Sequence, residues 1–121
     1  MAQDSVVSVA GTYKGHLPCE ECKYIEAELE LNYGTDSTGE FVLRDRYVNP
    51  GGTNITSRRK GDWIVRRDEV DGQKTWVVIL DYDNEDKMVY YLVKPDGNIY
   101  PLDENKHQQK ADIDCTMKKQ L

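Results

Sequence analysis

Apolar and polar residues alternate with a period of two along most of the chain, the signature of strands that bury one face. The clearest instance is 24–33, where Ile25, Ala27, Leu29 and Leu31 interleave with Glu26, Glu28 and Glu30. A slip of one residue would turn the three glutamates inward, so the pattern itself fixes the register. Segment 9–17 alternates too, with Tyr13, Gly15 and Leu17 on one face and Lys14 and His16 on the other. Phe41, Leu43 and Tyr47 mark a third strand, reached through the turn-forming run from Gly34 to Gly39.

Asn49-Pro50-Gly51-Gly52 then interrupts the chain. A weak, polar strand is expected over 53–60 at a sheet edge, and Gly61-Asp62-Trp63 is expected to open a separate strand over 62–69. Asp71-Gly72 is a two-residue hairpin signal. The densely apolar 75–81 reads as a central strand. Asn84-Glu85-Asp86 turns it into Met88–Lys94, and Pro95-Asp96-Gly97 turns that into 98–102. A polar stretch, 103–110, leads to a last strand in which Ile113, Cys115 and Met117 share a face. About eight short strands without a helix make an all-β antiparallel meander, and closing it removes the exposed edges. The expectation is a small up-and-down β-barrel of about eight strands, ahead of an open sandwich, as one domain over 9–121 behind a disordered lead, 1–8.

At 121 residues the chain can bury one core. A net charge of −6 and a pI near 4.9 exclude a nucleic-acid binder, which needs a basic stripe. Arg58-Arg59-Lys60 with Arg66-Arg67 reads as a solvated face. No apolar run is long enough to cross a bilayer as a helix. Met1-Ala2-Gln3-Asp4 does not open a secretory leader, which leaves a cytosolic protein or one whose leader has been removed.

Candidate chemistry concentrates in Gly15-His16-Leu17-Pro18-Cys19-Glu20-Glu21-Cys22, a Cys-x-x-Cys between two strands. Four readings compete. The spacing allows a local disulfide, since the ends of a tight turn lie within about 7 Å. Such a short loop contributes only about 2 kcal/mol, against about 4.7 if either cysteine paired with distant Cys115. A thioredoxin-type redox pair wants a helix N-terminus, and here Glu20 and Glu21 stand between the sulfurs. A structural zinc site wants four ligands, usually two such pairs. A soft metal such as Cu(I) accepts two or three ligands: Cys19 and Cys22 would supply two, and His16, Cys115 and Met117 are candidate additions. The bland alternatives are an exposed polar His16 and core positions for Cys115 and Met117. No catalytic constellation stands out, so no enzyme is expected. Asp81, Asp83, Glu85 and Asp86 read as a solvated turn.

The run from Gly11 to Cys22, followed by the alternating 25–31, resembles the N-terminal domain of the NlpE copper-resistance lipoproteins of bacterial envelopes. Gly61-Asp62-Trp63, the apolar strand at 77–80 and Leu102-Asp103 follow in that family's order, so the resemblance spans most of the chain. It implies a lipocalin-like barrel and an envelope location, periplasm-facing or at the outer membrane. It also implies a non-enzymatic role in copper homeostasis or envelope-stress sensing, an envelope sensor or other envelope protein as partner, and membrane attachment only through a removed N-terminal lipid anchor. Cys19 and Cys22 match the family's cysteine pair and Pro18 its turn proline, while Tyr24 stands where the family commonly has Gly. The alternative is a carrier of a small apolar ligand, its lumen lined by Tyr13, Leu29, Phe41 and Ile79.

Overall fold

The computed structural model describes residues 9–19, 21–35, 37–103, 105–108 and 113–120; the lead expected over 1–8 lies outside them. The strands are β1 (Gly11–Leu17), β2 (Tyr24–Tyr33), β3 (Thr38–Val48), β4 (Ile55–Val70), β5 (Gln73–Leu80), β6 (Val89–Val93), β7 (Ile99–Leu102) and β8 (Lys118–Lys119). Each of β1 to β6 pairs antiparallel with the next, and β8 returns to β1, in one eight-stranded sheet. The all-β up-and-down expectation holds, and the sheet curls into a nearly closed barrel.

Register follows the alternation. Leu29 lies opposite Tyr13 on β1 and Leu43 on β3, and Leu31 lies opposite Phe41. These side chains meet Trp63, Val65, Val78, Leu80, Tyr91, Ile99 and Met117 in the interior. Each such side chain taken out of water contributes about 1.5–3 kcal/mol. Tyr13, buried in this core, donates from its hydroxyl to the Val9 carbonyl at 2.7 Å, and burial pushes its pKa up to about 12. The Asp71-Gly72 hairpin forms as expected, both residues having positive φ (50° and 84°), the geometry that a turn matched to strand twist requires.

The seam closes through Met117. Its backbone exchanges hydrogen bonds of 3.0 and 2.7 Å with Ile99 of β7, while Lys118 and Lys119 pair with Lys14 and Tyr13 of β1. Gly15 makes this approach feasible, because a Cβ there would fall 2.6 Å from the Thr116 carbonyl oxygen and 2.8 Å from Met117 Sδ.

Four expectations need correction. The break at Gly61 does not occur: β4 is one sixteen-residue strand that changes partner. Its residues 55–64 pair with β3, and β5 joins only from Trp63 onward, so the first half is indeed bare on its β5 side. Gly61 faces inward opposite Phe41 on β3, and pairing carries the strand through it. Ile79 does not line the lumen. It packs with Val70, Val77 and Leu102 in a second apolar cluster on the outer face, because β5 is covered on both sides. Residues 105–108 fold back over that face: Lys106 Nζ bonds Asp68 at 2.8 Å and lies over the Tyr90 ring, and Gln108 bridges to Leu102. Ile113 does not share the buried face of Cys115 and Met117; it is exposed. Finally, the basic run is not wholly solvated, since Arg59 points inward.

Candidate functional site

Pairing of β1 with β2 ends at Leu17 opposite Ile25, so the Cys-x-x-Cys lies in the hairpin connection, just beyond the last rung. Lys23 N–H donates to the Val48 carbonyl at 2.9 Å, tying the end of that connection to β3. Cys19 and Cys22 have Cα atoms 5.4 Å apart, inside the span a disulfide accepts, and are bridged. Both are half-buried, and Cys22 Sγ lies 3.5 Å from the Tyr24 carbonyl oxygen. Glu21 is exposed, and Glu20 lies outside the described residues.

Beneath the bridge the register aligns Leu17, Ile25, Tyr47 and Ile55 across four strands at the barrel mouth. Ile25, Tyr47 and Ile55 join the disulfide around a pocket of about 430 Å³. Ile55 is 60% exposed despite facing inward, because β5 does not reach this level. The sulfurs therefore stand on the rim of an open apolar mouth.

The other candidate ligands go elsewhere. His16 is exposed on the outer face, its ring centroid 4.8 Å from that of Tyr24. Met117 is fully buried, its sulfur against Gly15 on the seam. Cys115 is fully buried too and donates to the Ile113 carbonyl at 3.6 Å; burial, with the Asp114 charge, pushes its thiol up. Among the described residues no three or more His, Cys, Asp or Glu side chains converge to hold a metal ion. The soft-donor set at the mouth is the sulfur pair itself. Two thiolates suit Cu(I), which accepts low coordination, once the bridge is reduced.

Sequence reasoning missed two inward-facing charged residues below the mouth. Asp45 aligns with Ala27 and Ser57, and its Oδ1 has no hydrogen-bond partner. Burial raises its pKa, and the Arg59 charge opposes the rise. Arg59 grips Asp81 through Nε and an Nη, donates to the Lys87 carbonyl and lies over the Phe41 ring. It closes the gap where β4 runs on without β5. The signal was present: Phe41, Leu43, Asp45 and Tyr47 are spaced by two, so Asp45 falls on the inward register.

A crystal structure from Shewanella oneidensis, described as a lipoprotein, is similar in fold, with a TM-score of 0.66 at 22% identity over 97% of this chain and 94% of that one. No curated protein matches the chain. The family model described as the NlpE N-terminal domain matches residues 13–112, most of the barrel. With the cysteine pair on the β1–β2 hairpin inside that match, the chain belongs to the NlpE N-terminal domain family.

Proposed function

We propose that this is a non-enzymatic cell-envelope protein whose Cys19–Cys22 turn is a reversible redox site, and whose reduced form takes up one Cu(I). The observation that carries the reading is the position of the bridge, half-buried on the rim of the mouth and away from the close-packed interior. A disulfide there is open to attack by an external thiol. Two equivalents of thiol reduce it: the first displaces one cysteine sulfur and forms a mixed disulfide, and the second releases the other cysteine and leaves as the oxidised thiol pair. The freed Cys19 and Cys22 thiolates would hold the metal, and the copper would supply only Lewis-acid binding to soft donors. Family membership supports the envelope location and a role in copper homeostasis or stress reporting, with an envelope sensor or other envelope protein as partner.

The test is a Cu(I) titration of reduced protein against a chromophoric chelator, on a Cys115→Ser background. About one equivalent should bind, and Cys19→Ser with Cys22→Ser should abolish it. Undiminished binding in that variant moves the site away from this turn. The interior at the level of Tyr13, Leu29 and Phe41 is filled by the protein's own side chains, so no observation favours the carrier reading over this one.

A further inference from the structure

The outer face opposite the small-residue rung Gly15, Ala27, Asp45 and Ser57 is a groove of about 880 Å³. One wall is a single row of paired residues: Lys118 faces Lys14, Lys14 faces Glu28, Glu28 faces Arg44, and Arg44 faces Arg58. The other wall runs His16, Glu26, Arg46 and Thr56. In a chain of net charge −6, Lys14, Arg44, Arg46, Arg58 and Lys118 outnumber Glu26, Glu28, Asp114 and the inward-facing Asp45 in its lining. Like charges are set directly opposite each other at both ends of the row, with Asp114 beside Lys118 offsetting part of the charge there. Such pairs are destabilising in a sheet, and a bound anion would relieve them. Lys14 and Arg58 form no ion pair within 4 Å among the described residues, and Arg44 reaches Glu28 and Glu30 only at 3.5 Å. Exposed pairs of that length are worth about 0–1 kcal/mol, so re-pairing with a ligand costs little.

We propose that this groove binds an extended acidic peptide segment of a partner protein, with acidic residues at positions i and i+4 and a basic one at i+2. The spacing carries the argument. Strands lie about 4.8 Å apart, so the midpoint of the Lys14–Lys118 pair is about 7 Å from Glu28 and about 14 Å from the midpoint of the Arg44–Arg58 pair. An extended chain presents i, i+2 and i+4 on one face at about 7 and 14 Å. The order of charge along the wall is positive, negative, positive, which complements that peptide. A compact phosphate fits poorly, because the cations do not converge and Glu28 stands between them. The site is independent of the sulfurs.

Two synthetic peptides test it by amide-shift titration at low salt: Ac-Ser-Asp-Ser-Lys-Ser-Asp-Ser-NH2 and its isomer Ac-Ser-Ser-Asp-Lys-Asp-Ser-Ser-NH2. The first should give saturable shifts at Lys14, Glu28, Arg44 and Arg58 and bind at least about fivefold more tightly than the isomer, and Lys14→Ser with Arg58→Ser should weaken it about tenfold. Both positions are exposed, so the variant should keep the native circular dichroism spectrum and melting temperature. No shift, equal binding of the two peptides, an unaffected variant, or the same shifts from inorganic phosphate or phosphatidylglycerol vesicles at matched concentration would overturn the proposal.

Discussion

The two sides of the barrel are built differently. On β1 to β3 the inner face is apolar except at Asp45, and the outer face carries Lys14, Glu26, Glu28, Glu30, Arg44 and Arg46, so each strand has a drier side and a wet side. On β5 both sides are dry: Val78 and Leu80 face the lumen, while Val77 and Ile79 pack with Val70 and Leu102 on the outer face. The first wall is thin, and it carries the mouth, the disulfide and the charged groove. The second is thick, with a second apolar cluster on its outer side. Surface available for recognition thus lies where the fold depends least on its outer face.

The sharpest way to break that contrast is to truncate the outward side chain on each wall. Ile79→Ala should cost about 2–4 kcal/mol, close to the about 2–5 expected for Leu29→Ala in the lumen, whereas Glu28→Ala should change stability by less than about 0.5. Urea denaturation of the three variants decides it, and an Ile79→Ala loss as small as that of Glu28→Ala would remove the second core. Next in size is the seam. Gly15→Ala places a methyl against the Thr116 carbonyl and the Met117 sulfur and should cost about 1–3 kcal/mol, with faster hydrogen exchange at the Met117 amide.

A smaller effect is expected at Asp45. Its folded pKa lies above the ordinary 3.8, so its ionised form costs stability at neutral pH, and the cost is relieved as pH falls through the raised value. Asp45→Asn should therefore stabilise at pH 7 by less than about 1 kcal/mol, the carboxyl being part-exposed and screened. Melts of both proteins should converge in acid, and a neutral-pH loss would contradict the assignment. Smallest is the exposed contact of His107 Nδ1 with Asp71 Oδ1 at 2.7 Å. That partner raises the His107 pKa above 6.5. Its stabilisation is complete below 6.5 and lost as pH rises through the raised value. Imidazole shift titrations should show the rise in the native protein and its absence in Asp71→Asn.

Strand count, the hairpin at Asp71-Gly72 and the β2 register were legible because period-two alternation reports one-sided burial directly. The thick wall was not. A run such as Val77-Val78-Ile79-Leu80 has no period, so it signals a central strand without assigning faces, and Ile79 was accordingly expected in the lumen. Gly61 suggested a break because glycine weakens a strand, yet pairing with β3 on one side sufficed to carry β4 through. For the candidate site, adjacency in sequence found Cys19 and Cys22, but the apolar rim beneath them comes from β2, β3 and β4. Only the register brings Ile25, Tyr47 and Ile55 together.

The central claim is that the Cys19–Cys22 sulfurs are open to external chemistry while the fold is intact. Timed alkylation of native protein in glutathione buffers, read by peptide mass spectrometry, tests it most directly. Cys19 and Cys22 should become modified together as the buffer turns reducing, with Cys115 unmodified and the circular dichroism unchanged. A bridge that resists reduction until denaturant is added, or labelling of Cys115 at the same rate, would contradict the account.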